Sequence, residues 1–327
     1  MATLTARTLA GAGSVRSRSL GRRIWDARHL YVLMLPGLVL IAMFSVYPLV
    51  MSWYYSFLDW DGIQKTKIWI GLRNFRELAH DPFFWHAFLR SLWFAGVASP
   101  IEIVLSLLIA IVLNNKTLRL APLYRTLFFL PVVTTTAIVG IVMSFVFSTF
   151  NGPVNTALTD LRLISRPVGF LTSPSAVMWT AIGVFVWKWM GQPMIYWLAG
   201  LQTIPQDLYE AARVDGASAW QQARYITAPL LKPFGVIISL IVVVGNMQVF
   251  AFLQALTHGG PYFSSETMEL YIYRTAFGAS TGGGYTVTRL GYASAAGVLF
   301  GVLMMGLALA QILSVRRLRR GPAGALQ

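Results

Sequence analysis

Apolar residues in this chain fall in long runs, not at alternate positions or along a single helical face. A bilayer core takes about 20 mostly apolar residues per helix. Six runs reach that length: 30–54, 87–113, 127–150, 176–198, 234–256 and 292–313. Each predicts a transmembrane α-helix, so the chain reads as an all-α integral membrane protein. The first run does not read as a cleaved signal sequence. Its polar leader is long, the run is long enough to span a bilayer, and no clear small-residue cleavage site follows it.

Basic residues are concentrated in four segments, while the other connections are mixed in charge. Arg7, Arg16, Arg18, Arg22, Arg23 and Arg28 precede the first run, and Lys116, Arg119 and Arg125 follow the second. Arg213, Arg224 and Lys232 follow the fourth, and Arg316, Arg317, Arg319 and Arg320 close the chain. With six spans, all four groups fall on one side, and positive charge collects on the cytoplasmic side. The expectation is N-in, C-in, with residues 60–86, 151–175 and 257–291 outside. The implied organisation is a basic cytoplasmic tail (1–29), a first span with an outer segment (30–86), a core transmembrane domain (87–316) and a cytoplasmic tail (317–327).

Composition agrees with this picture. Hydrophobic residues make up 56% and charged residues 12%, against about 25% charged in soluble domains. The net charge of +14 would suggest nucleic acid in a soluble protein. In a membrane protein it follows from the orientation rule, and no nucleic-acid partner is expected. Cysteine is absent, and the histidines His29, His80, His86 and His258 show no ligand spacing, so no metal site is expected.

One cytoplasmic connection is patterned like structure. In "LQTIPQDLYEAARVDGASAWQQARYITAPLLKP", Pro205 suits a helix start and Asp207 and Glu210 favour its first turn. Gly216 predicts a left-handed stop. Ser218 with Gln221 predicts a capping box opening a second helix, which Pro229 and Pro233 are expected to end near Thr227. An amphipathic helix lying on the membrane surface is the plainer alternative.

The segment "EAARVDGA", followed by "ITAPLLKP", resembles the EAA signature of ABC-importer permeases. Glu210, Ala211, Ala212, Gly216, Ile226 and Pro229 match it, while Ala228 stands where leucine commonly precedes the proline. "IWIGLRNFREL", "YRTLFFLPVVTTTAIVGIVMSFVFSTFNGPVN" and "THGGPYFSSETMELYIYRTAF" are similar to the carbohydrate-uptake branch, the maltose-type and glycerol-3-phosphate-type permeases, over about residues 31–315. The resemblance implies the type I ABC-importer permease fold, with the EAA loop at 202–233 carrying a cytoplasmic coupling helix. It also implies a bacterial inner-membrane location and a pore shared with a second homologous permease. Two ATPase subunits and an extracytoplasmic solute-binding protein that delivers the sugar would complete the assembly. Glu210, Ala211, Ala212, Asp215 and Gly216 would form the ATPase contact. Glu210 would be its charged anchor, and Gly216 would turn where a side chain would collide. ATP and Mg would be bound by the partner ATPase, leaving this chain without a cofactor or catalytic residue.

The residues themselves agree by omission, since there is no GxxxxGK[ST] phosphate loop, nucleophile–base pair or pair of catalytic carboxylates. Polar groups inside spans are functional candidates by default. Glu102 and Lys188 fall near mid-membrane, with pairing to each other or to a partner as the structural alternative. Asn246 and Phe250, and Gln248 with Phe252 on another face, repeat a four-residue spacing. Trp187 and Trp189 flank Lys188. These are the substrate-pathway candidates, because a sugar offers hydroxyls to amides and charges and a flat face to aromatics. Thr134, Thr135 and Thr136 say little. Ala293, Gly297 and Gly301 have the spacing of close helix approach, and the Gly259–Pro261 and 282–284 turns mark the outer surface. An ion-coupled secondary carrier is the alternative function. It predicts related halves and interrupted helices, and no clear inverted repeat is seen. A membrane enzyme is disfavoured by the missing catalytic set.

Overall fold

The computed structural model describes Trp25 and residues 28–115, 118–278 and 288–319. The arginines before Arg28, Lys116, Arg320 and the 282–284 turn lie outside these. Apolar, helix-compatible sequence becomes helix because hydrocarbon leaves each backbone polar group to be satisfied within its own segment. Four described helices are long and apolar enough to cross a bilayer: α1 (Arg28–Tyr55), α3 (Pro82–Leu113), α10 (Ala219–Gly245) and α13 (Leu290–Arg319), the last over Leu290–Leu309. The chain divides into a unit up to Met51, whose long helix is most of α1, and a body from Ser52 onward. The side chains of α1 are apolar and largely exposed.

The body begins with a two-residue ribbon, β1 (Leu58–Asp59) antiparallel to β2 (Ile68–Trp69), and α2 (Arg73–His80). The buried Asn74 amide donates to the Ser56 and Leu58 carbonyls, clamping ribbon to helix. Asp81 caps α3 by accepting from the Phe83 amide. Then come α4 (Ala121–Val133), α5 (Thr136–Val146), α6 (Pro153–Asp160), α7 (Val177–Trp189), α8 (Gly191–Gln202) and α9 (Gln206–Val214). After α10 follow α11 (Phe250–Leu256), α12 (Met268–Phe277) and α13.

Three of the six expected spans are interrupted. The run 127–150 is the pair α4 and α5, bent by 96° at Thr134–Thr135. Counting that pair as one span gives five crossings. Both threonines are extended, and the Thr134 hydroxyl donates to the Pro131 carbonyl at 2.6 Å. These threonines therefore mark the break. The run 176–198 divides at Met190 into α7 and α8. Pro193 lacks the amide hydrogen that would bond the Trp189 carbonyl. Gly191 brings its backbone so close to α4 that a Cβ would stand 2.3 Å from the Phe128 carbonyl oxygen. The run 234–256 is helical only to Gly245, and α11 starts anew at Phe250.

A fourth difference lies at the start of α10. Pro229 and Pro233 do not end the helix: Ala219–Gly245 is one 27-residue element. A π-turn at Ala223–Thr227 widens the backbone just before Pro229, with the Ala228 amide bonded to the Ala223 carbonyl. The wider turn makes room where the proline ring would meet the carbonyl four residues back.

Three packed clusters hold the body. One joins Phe94 and Ala98 of α3 to Ile182 and Phe185 of α7 and Phe252 and Leu253 of α11. A second joins Ala110 and Leu113 to Met194, Trp197 and Leu201 of α8 and Leu231 and Ile238 of α10. The third joins Leu78, Phe84, Met268, Tyr271 and Tyr292. In lipid such contacts act through close packing more than through water exclusion. Ala293 is buried, whereas a Cβ on Gly297 or Gly301 would meet nothing within 4 Å. Among the described residues, the first of that small-residue line is the one packed tightly.

Candidate functional site

The four residues between α10 and α11 place the polar groups of the body. Asn246, buried at the end of α10, donates from Nδ2 to Glu102 Oε2 and to Ser99 Oγ, each at 3.0 Å. That amide joins two positions of α3 to the break. Gln248 is exposed two residues on. Glu102, Asn246 and Gln248 line a cavity of about 230 Å³ with Trp189, Gln192 and Tyr196. Gln192 donates to the Tyr196 hydroxyl at 2.9 Å. The wall therefore offers a carboxylate, three amides, a phenol and an indole face, the donors, acceptors and stacking surface that a small polyhydroxylated solute needs. Gln192 and Tyr196 were missed from sequence. Their signal was a polar pair at i, i+4 inside an apolar run.

The other pathway candidates stand elsewhere. Lys188 is fully buried and does not reach Glu102. Its ammonium donates to the Pro131 and Thr134 carbonyls at 3.1 and 3.0 Å and lies 4.4 Å from the Trp189 ring centroid. It satisfies carbonyls that the α4–α5 break exposes, as a cation at a helix C-terminus should. Trp187 points to the outside of α7. Phe252 is fully buried, 5.4 Å from Phe185. Phe250 lies against Tyr273 of α12, ring centroids 5.0 Å apart.

The second place of interest is the α9–α10 connection. Helix α9 ends at Gly216, φ +79°. The Gly216 amide bonds the Arg213 carbonyl and the Ala217 amide bonds the Ala212 carbonyl at 2.8 Å, the paired 5→2 and 6→1 bonds of a Schellman stop. Ser218 and Gln221 form the expected capping box, with bonds of 2.7 and 3.3 Å. Among the described residues nothing stands within 4 Å of where a Cβ on Gly216 would be, and its positive φ calls for glycine. Glu210, Ala211, Asp215 and Gly216 are exposed and Ala212 half-buried, beside exposed Val214 and Trp220. The inner face is tied down: Tyr209 packs on the second cluster, and its hydroxyl lies 2.8 Å from Thr227 Oγ1 in the π-turn.

At the α12 end, Glu77 forms a two-bond ion pair with Arg289 at 2.6 and 2.8 Å, which holds its carboxyl below the usual range. Glu266 and Arg274 pair in a buried setting at 2.6 Å. Among the described residues, no group of three or more His, Asp and Glu could hold a metal ion.

The family model of the binding-protein-dependent transport system inner membrane component matches residues 82–320. The lactose transport system permease protein LacF of Rhizobium radiobacter is 35% identical over 80% of this chain and 87% of its own length. The trehalose/maltose transport system permease protein MalF of Thermococcus litoralis is 30% identical over 90% and 96%. A solved bacterial ABC transporter that imports the acidic polysaccharide alginate is similar with a TM-score of 0.77 and 26% identity, over 92% of this chain and 99% of that one. The same kind of transporter, in complex with an alginate pentasaccharide-bound periplasmic protein, gives 0.75 and 26%, over 93% and 99%. With so much of its length matched and its helices arranged as in these transporters, the chain belongs to the binding-protein-dependent transport system inner membrane components, as a multi-pass inner-membrane permease of an ABC-type sugar importer.

Proposed function

We propose that this permease forms a sugar pathway with a second homologous permease and is driven by two ATPase subunits that grip the α9–Gly216 element. Six crossings with both termini in the cytoplasm complete the arrangement, and a solute-binding protein supplies sugar from outside. Sugar passes the cavity lined by Glu102, Asn246 and Gln248. The observation that carries this reading is a short helix with a capped stop, exposed on its outer side and bonded on its inner side to the base of α10. Such an element moves as a rigid body and transmits displacement, where an uncapped loop would absorb it. Tyr209 and Thr227 join it to a 27-residue helix about 40 Å long, which ends at the polar cavity. Glu210 is the exposed carboxylate suited to a basic partner group.

The test is co-purification. Wild-type permease should bring down separate ATPase subunits. Glu210→Lys should lower both their recovery and binding-protein-stimulated ATP hydrolysis, with unchanged membrane insertion, because close like charges at a partly buried contact cost several kcal/mol. Wild-type recovery and coupled hydrolysis in this variant would refute the assignment.

A further inference from the structure

The break between α10 and α11 has two anchored ends and one exposed side chain, Gln248, between them. At one end Asn246 is bonded to Ser99 and Glu102 of α3. At the other, the Phe250 amide donates to Glu269 Oε2 at 2.6 Å, and the Val249 amide also faces that carboxylate. Both are among the first amides of α11, which have no partner within their own helix. A carboxylate there meets the positive end of the helix and satisfies donors that are costly to leave bare in a dry setting. The acceptor comes from α12, a separate element. Tyr273, one turn beyond Glu269, packs at a tilt against the ring of the same Phe250. Helix α12 is itself held. The Met268 amide bonds Ser91 Oγ at 2.8 Å, Tyr271 bonds Asp81, and Glu266 pairs with Arg274.

Between these anchors, Gln248 is exposed; its backbone amide bonds the Gly245 carbonyl, and its side-chain amide makes no hydrogen bond among the described residues. It lines the 230 Å³ polar cavity and also a larger apolar one of about 800 Å³ between α3, α10 and α13. Glu269 is on the wall of the larger cavity. We propose that Glu269 is a positioning residue, through which α12 holds the α10–α11 break so that the side-chain amide of Gln248 stands at the junction of the two cavities. A movement of α12 would thereby reach the polar cavity directly, without passing through the ATPase side. This rests on the reading of that cavity as part of the sugar pathway.

The chain has no cysteine, so in vesicles holding the assembled transporter the label carried by this chain, separated from its partners on a gel, reports one site. Gln248→Cys is labelled with a small water-soluble methanethiosulfonate, with Glu269 intact, as Glu269→Gln and as Glu269→Ala. Gly96→Cys serves as the control. It lines the same large cavity from α3, and a Cβ there would meet nothing within 4 Å. Labelling at 248 should be about tenfold faster with Glu269→Ala, the weight of one hydrogen bond to a charged acceptor. Glu269→Gln should be intermediate, since its amide oxygen still accepts one N–H, and labelling at 96 should not change. Amide hydrogen exchange over residues 246–252 should quicken in the same order. Equal rates at 248 in all three backgrounds would overturn the proposal, and so would a parallel rise at 96, which would mean general loosening. The assay needs no sugar. The pathway reading stands or falls separately, on uptake by Asn246→Ala and Gln248→Ala.

Discussion

Replacing Gly216 should uncouple the permease in an order set by backbone conformation. The residue sits at φ +79° with open space where a Cβ would stand, so added volume meets none of the described residues. A left-handed conformation costs an ordinary L-residue about 1–2 kcal/mol. Asparagine is more tolerant than alanine, and β-branched valine is the poorest fit. Two further bonds depend on this turn, Gly216 to Arg213 and Ala217 to Ala212, each worth about 1 kcal/mol net. Helix α9 has nine residues, too few to stand alone in water. Losing its stop should therefore fray the turn that carries Val214 and Asp215. Gly216→Asn should keep most activity. Gly216→Ala should lose about 1 kcal/mol of the competent conformation, roughly a fivefold drop in coupled hydrolysis at limiting ATPase. Gly216→Val should lose about 2–3 kcal/mol and most ATPase recovery. The assay is co-purification of the ATPase together with binding-protein-stimulated hydrolysis. Asparagine is larger than alanine, so a worse result for Asn than for Ala would show that fit in a partner groove decides, and would refute the conformational argument. Wild-type behaviour of the valine variant would refute it outright.

Lys188→Met should leave the Thr134 carbonyl without its ammonium donor, while Pro131 still accepts from Thr134. The expected cost is about 1–3 kcal/mol, seen as a fall of several degrees in the tryptophan-fluorescence melting temperature in detergent. An unchanged melt would mean the break does not depend on this lysine. Cysteine at Ser218 should be shielded from an impermeant thiol reagent in intact cells, whereas cysteines at Ser173 and Ser264 should label. Labelling at Ser218 from outside would overturn the N-in, C-in arrangement.

The chain's own pattern was enough for the membrane class, the long helices α1, α3 and α13, and the capped turn at Gly216. Length, hydropathy and helix caps are local properties, and each is decided within a few residues of itself. The same locality explains what was misread. A run of apolar residues looks alike whether its helix is straight or broken, because hydrocarbon tolerates both provided the freed backbone groups find partners. Those partners come from afar: Lys188 for the carbonyls at Pro131 and Thr134, Glu269 for the amide of Phe250. No spacing within 127–150 or 234–256 could announce them. For the same reason Glu102 looked like a mate for Lys188. Only the packing of α3 against the end of α10 gave it Asn246, and only the break after Gly245 turned Gln248 away from the face of Phe252, which packing buries. The polar cavity is thus made of residues whose types were legible in the sequence. Their meeting was decided by where α7 and α10 stop and by how α3 and α8 pack against those ends.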